Sequence, residues 1–190
     1  MRIVIWALLA VLALAAGSLP VPAQSRPAID GKIGANEYSR SYKLDGCGTV
    51  LVWTIVGDTI YFGIQAESDG WFGIGFLAEK TKEKQGADQY IFTAEDGKPS
   101  GLDLWQKTPS KRPAPDEEEG GKNSILQSAR VRDGNKVVVE WARKLNTGEK
   151  TDVEITPGKK LHLLFAAGPS EDWKKEHKKS RRWDHEGFAF

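Results

Sequence analysis

Methionine is all but missing from this chain. The single Met is the initiator, Met1, so no thioether is available anywhere downstream. Cysteine is equally scarce: Cys47 stands alone, in "DGCGTV", which rules out an internal disulfide. No CxxCH run exists for covalent haem attachment, and a zinc site built on paired thiolates has no second thiolate. Cys47 reads as a small residue at a strand entry, the other reading being a reactive or intermolecular thiol. Excess charge is missing too. Lys and Arg total 27 against 26 Asp and Glu, so bulk charge gives a nucleic acid nothing to bind. Catalytic signatures are absent: no GxSxG, HExxH, P-loop or EF-hand loop is present. "GWFGIGF" has Gly73 and Gly75 at GxG spacing but lacks the next glycine and the helix of a dinucleotide site. The chain therefore reads as a non-enzyme.

Long apolar runs are lacking except at the start. Ile3 to Ala16 gives roughly 14 apolar residues behind Arg2, and Val21-Pro22-Ala23 follows as a small-x-small cleavage site. A membrane span needs about 20. The expectation is a secretory leader over 1–23, cleaved after Ala23, and an exported chain, periplasmic or extracellular, with no membrane span. The mature part, 24–190, suits one domain. Losing Arg2 with the leader brings it to 26 basic and 26 acidic side chains.

What is present is β pattern. "TVLVWTIV" and "TIYFGIQA" flank Gly57-Asp58, a hairpin signal. "GWFGIGF", "QYIFTA" and "GLDLWQK" follow. "SILQSARVR" and "KVVVEWARKL" flank Asp133-Gly134-Asn135. "KLHLLFAAG" and "RWDHEGFAF" come last. Short strands at this spacing predict an all-β fold, an antiparallel sandwich of about 9–11 strands. Trp53, Phe62, Ile64, Ile74, Val138 and Phe165 are the expected core, with Trp141 beside them.

Two stretches break the pattern. "KTPSKRPAPDEEEGGKN" (Lys107 to Asn123) reads as a long exposed loop. Its adjacent acids are taken as solvated, rather than as paired catalytic carboxylates or a cation site. "SEDWKKEHKKSRRW" (Ser170 to Trp183) reads as a surface loop or a short helix.

The ordered set "IDGKIGANEYSRSYKL", "GWFGIGF", "GADQYIF", "LDLW", "RKLNTGEKTD" and "HKKSRR" resembles a DOMON domain, over about Ile29 to Phe190. The resemblance implies an immunoglobulin-like sandwich with a ligand pocket. Many members bind haem b, through a Met in the loop after the glycine-aromatic strand and a His near the C-terminus. His177 matches the His position, and Lys84, beside Gln85, occupies the Met position. The implied pocket comprises Gly73, Gly75, Lys84, Gly86 and His177, with Asp88 helping Gly86 to shape the loop. His177 is the implied iron ligand, and a redox partner protein follows from that reading. A lysine amine coordinates iron only after losing its proton, against an ordinary pKa of about 10.4. His185 reads as a structural strand residue and His162 as a buried or half-buried one.

Two other readings stand beside this one. "IDGKIGANEY" also resembles the start of carbohydrate-binding modules, for which Trp71, Trp105, Trp173 and Trp183 would supply aromatic platforms. The third reading is an accessory protein-interaction domain without a small ligand. Geometry discriminates: coplanar rings on an open face favour sugar, and a slot lined by Gly73, Gly75, Lys84 and His177 favours haem.

Overall fold

A computed structural model describes residues 25–44, 48–95, 97–177 and 182–190. The expected leader, Cys47 and the Trp183 side chain lie outside the described residues.

The described chain is built of β-strands, and its only helical turns are two short 3-10 turns, Lys82–Lys84 and Asp116–Glu119. The strands are β1 (Arg40–Lys43), β2 (Val50–Val56), β3 (Thr59–Glu67), β4 (Phe72–Leu77), β5 (Asp88–Glu95) and β6 (Lys98–Trp105). They continue as β7 (Ala114–Pro115), β8 (Gln127–Asp133), β9 (Lys136–Lys144), β10 (Lys160–Ala167) and β11 (Arg182–Ala189). One sheet has the order β1-β2-β3-β9-β8 and the other β11-β10-β4-β5-β6-β7, with every pairing antiparallel. This is the all-β sandwich expected, with 11 described strands. Gly57-Asp58 and Gly134-Asn135 close the β2–β3 and β8–β9 hairpins, and both glycines take positive φ, which favours glycine at such turns.

Period-two alternation explains the core. Ile60, Phe62 and Ile64 point inward from β3, Phe72, Ile74 and Phe76 from β4, and Leu161, Leu163 and Phe165 from β10. Trp141 is fully buried at the centre, stacked on Phe62 at 4.5 Å and against Phe92 at 5.0 Å. Trp53, Phe62, Ile64, Ile74 and Phe165 lie in this core as expected. Val138 does not. It pairs with Gln65 on the outward face and is half-buried, and the core positions are Val137 and Val139. Three consecutive valines fit either parity, and pairing with β3 selects the face.

The N-terminal "IDGKIGANEY" acts as a latch. The N–H groups of Asp30, Gly31 and Lys32 donate to Glu140 Oε2 at 3.1, 2.7 and 3.0 Å, and the Tyr38 hydroxyl donates to Oε1 at 2.7 Å. The segment is thus tied to β9 by a buried carboxylate whose acceptor capacity is filled.

A polar knot sits inside the sandwich below the start of β5. Arg143 is fully buried and donates to Asp88 Oδ2 at 2.6 Å, to the Tyr90 hydroxyl at 2.8 Å and to the Val153 carbonyl at 3.0 Å. Asp88, expected to help shape the loop, has its side chain in the core at the loop's end. Asp116 is also fully buried, so the "DEEE" run is not uniformly solvated: its first member turns inward while Glu117 and Glu118 stay exposed.

Candidate functional site

A two-layer sandwich normally leaves its outer faces wet. Here β4 is buried at all six positions, on both faces. Its inner residues fill the core. Its outer residues, Gly73, Gly75 and Leu77, lie under three loops, which wall a half-open cavity of about 520 Å³. That volume lies in the range of small-molecule and cofactor sites.

Registration builds the floor. Gly75 lies between Leu164 and Gln89, and Gly73 between Ala166 and Ile91. On Gly75, a Cβ would stand 3.0 Å from Gln89 Cγ and 3.4 Å from Leu164 Cβ. On Gly73, it would stand 3.3 Å from Ile91 Cγ1 and 3.5 Å from Trp71 Cζ3. The two glycines keep the middle of the floor low, as strand glycines do where something must approach the backbone closely.

One wall is the loop between β4 and β5. Glu83 and Lys84 both adopt left-handed φ, 50° and 65°, an uncommon and costly conformation for non-glycine residues. The turn is pinned on both sides: Ala87 N–H donates to Lys84 O at 3.0 Å, and Gly86 N–H to Gln106 O at 2.8 Å. Lys84 is half-buried and lines the cavity. Gln85 is exposed and donates to Lys107 O. Gly86 is absent from the lining: its φ of 83° turns the chain into β5.

The opposite wall is the segment after β10. Glu171 anchors it, accepting from Arg130 at 2.8 Å, Arg132 at 3.0 Å and the Ala94 N–H at 3.0 Å, with Thr93 donating as well. Partial burial acts to raise the Glu171 carboxyl, but the hydrogen bond and charge of Arg130, with Thr93 and Arg132, outweigh it and hold it below the usual range. The Trp71 indole donates to Lys175 O at 3.1 Å, and Arg112 donates to Lys174 O at 2.6 Å. His177 is half-buried in this wall, its ring 6.3 Å from Trp71 and edge-on.

Gly73, Gly75, Lys84 and His177 thus line one cavity, while Gly86 does not. Trp71 and Trp173 line it too, packed together beside Ile91, and Trp105 lies outside it, near Gly86. His185 is away from it, its ring tilted against Tyr42 at 5.1 Å. His162 is a buried strand histidine, but it also lines the cavity floor, and neither ring nitrogen has a hydrogen-bond partner. The parity of "KLHLLFA" carried that signal: Leu161, Leu163 and Phe165 face the core, so His162 faces outward. Around the cavity stand Lys80, Lys84, Lys111, Arg112, Lys174 and Lys175, against three acids, Glu83, Glu176 and Asp184. The site is cationic and suits an anionic ligand.

A family model described as the DOMON domain matches residues 45–168. The DOMON domain-containing protein FRRS1L from Mus musculus is 27% identical over 152 residues, covering 74% of this chain and 43% of that protein. Its Homo sapiens counterpart gives the same figures. The chain spans less than half the length of these curated relatives. Among solved structures, the cytochrome b domain of pyranose dehydrogenase from Coprinopsis cinerea aligns with a TM-score of 0.48 at 9% identity, over 78% of this chain and 81% of that one. The cytochrome domain of Myriococcum thermophilum cellobiose dehydrogenase aligns with a TM-score of 0.48 at 9% identity, over 77% and 87%.

Proposed function

The chain belongs to the DOMON domain family, and we propose that it is an exported, non-catalytic binding module whose cavity takes haem b. The observation that carries this reading is the convergence of Gly73, Gly75, Lys84, His162 and His177 on one cationic cavity.

The residues present fit such a ligand in three respects. The glycine floor admits a flat body. The ring of lysines and Arg112 suits carboxylate groups at its edge. Imidazole donors are at hand, one of them buried with both nitrogens unpartnered. In this reading His177 would hold the iron, and His162 would offer the ligand a hydrogen bond. Lys84 stands where the family places a thioether. Bound haem supplies one-electron chemistry or an open position for a diatomic gas. The missing thioether lowers the potential expected at the site. A redox partner protein would dock at the cationic mouth. The sugar reading has less support, because the Trp71 indole N–H is already used by Lys175 O and Trp105 lies outside the cavity.

The test is a haemin titration of apo-protein followed by absorbance, in wild type and variants. His177→Ala abolishes the Soret shift, His162→Ala weakens binding, and His185→Ala leaves it unchanged. Lys84→Met sharpens the spectrum toward a low-spin form. A Soret shift that survives His177→Ala unchanged contradicts the assignment of the iron ligand.

A further inference from the structure

Four aspartates far apart in sequence meet on the core side of β5, facing away from the ligand cavity. Asp88 opens β5, Asp103 lies on β6, Asp116 starts the second 3-10 turn, and Asp152 lies between β9 and β10. Ligand-type oxygens of Asp88, Asp103 and Asp152 lie within 4.8 Å of one another. Asp88 is fully buried and Asp103 is 2% exposed. Among the described residues, the cation that pairs with Asp88 is Arg143, and it is committed on every side. It donates to Asp88 Oδ2, Tyr90, Lys144 O and Val153 O. Asp103 Oδ2 takes both the N–H and the hydroxyl of Ser124, at 2.8 and 2.6 Å.

The remaining oxygens are orphaned. Asp88 Oδ1, Asp103 Oδ1, and both oxygens of Asp152 and of Asp116 are buried with no hydrogen-bond partner. Buried carboxylate oxygens without partners are costly, and one guanidinium cannot neutralise three carboxylates. A divalent cation among Asp88, Asp103 and Asp152 makes those three carboxylates neutral with Arg143 and gives their orphaned oxygens a partner.

We propose that Asp88, Asp103 and Asp152 form a calcium site, with Asp116 bordering it on the side of the second 3-10 turn. The donors are all hard oxygens, with neither imidazole nor thiolate, which favours calcium or magnesium over zinc or copper. The donors are protein carboxylates, those of Asp88 and Asp103 deeply buried, which suits calcium better than magnesium, an ion that usually keeps several of its waters. The ion joins β5, β6 and the β9–β10 connection. It also fixes Asp88, two residues after Gly86, at the root of the loop that carries Lys84.

The test uses the full chain, stripped with EDTA and exchanged into metal-free buffer at neutral pH. Calcium in the millimolar range binds with one-to-one stoichiometry and raises the melting temperature by several degrees, and magnesium at the same concentration does less. Terbium is an independent probe. The Tyr90 hydroxyl is 3.4 Å from Asp88 Oδ2 and the Trp141 ring is 6.2 Å from the Tyr90 ring, so bound terbium emits on aromatic excitation and calcium displaces it. Asp103→Asn and Asp152→Asn weaken terbium binding on the order of tenfold or more. Glu117→Gln, on the exposed side of the same turn, leaves it unchanged. The proposal is overturned if calcium neither shifts the melting temperature nor displaces terbium, as when protons alone neutralise the group. It is also overturned if both asparagine variants bind terbium like wild type, or if Glu117→Gln removes the signal.

Discussion

Replacing Glu171 by alanine removes the pin that holds one wall of the cavity. Arg130, only 5% exposed at its side chain, would keep Gly70 O as its partner, and Arg132 would keep Ser68 O and Gly70 O. A hydrogen bond to a charged group contributes about 1.5–3 kcal/mol, and breaking a buried ion pair costs about 3–5 kcal/mol. Glu171 is one-third exposed, so water can refill part of the gap, and the contacts share partners and do not add. The expected loss is therefore about 2 kcal/mol, a melting temperature lower by about 4–8 °C for a chain of this size. Urea denaturation followed by circular dichroism reads the stability. The Trp71 indole N–H, bonded to Lys175 O, reads the wall, and its hydrogen exchange should accelerate. Protonation should mimic the substitution. A carboxyl held below its usual range contributes fully above its unfolded value of 4.5 and loses that contribution as pH falls through the lower folded value. Wild type should thus show the faster indole exchange below about pH 4.5 and the variant should show it at neutral pH. A loss under about 0.5 kcal/mol with unchanged indole exchange would refute the anchoring role.

Trp141→Ala should cost about 3–5 kcal/mol in urea denaturation. Trp141→Phe should cost far less, because the indole N–H of Trp141 has no partner to lose. Gly75→Ala should cost about 1–3 kcal/mol through overpacking against Gln89 and Leu164, and should weaken haemin binding more than any surface alanine. N-terminal sequencing of the exported protein should begin at Gln24, and recovery of Met1 on a membrane-bound form would contradict the leader.

The sheets were legible because alternation is a local signal. Phe62 and Ile64, or Leu161, Leu163 and Phe165, declare a face within a few residues. Legibility failed where the pattern is degenerate, as at Val137-Val138-Val139, whose parity is set by pairing with β3. The cavity was half legible. The low positions Gly73 and Gly75 and the departure at Lys84 stand out in the sequence. His162 was passed over because a lone histidine among leucines looks like packing, and only the covered outer face gives it something to address. The aspartate group was invisible. Asp88, Asp103, Asp116 and Asp152 come from four segments, and no short-range spacing records that the sandwich brings them together. Asp116 was further hidden by three acidic neighbours, of which Glu117 and Glu118 are exposed.

The most direct test of the central claim is a haemin titration of the wild-type apo-protein, followed by tryptophan fluorescence and Soret absorbance together. Trp71 and Trp173 line the cavity, so a ligand seated there quenches them. The account predicts saturable one-to-one quenching that tracks a Soret shift and weakens as salt screens the cationic rim. Quenching that never saturates, with no Soret shift, would contradict it.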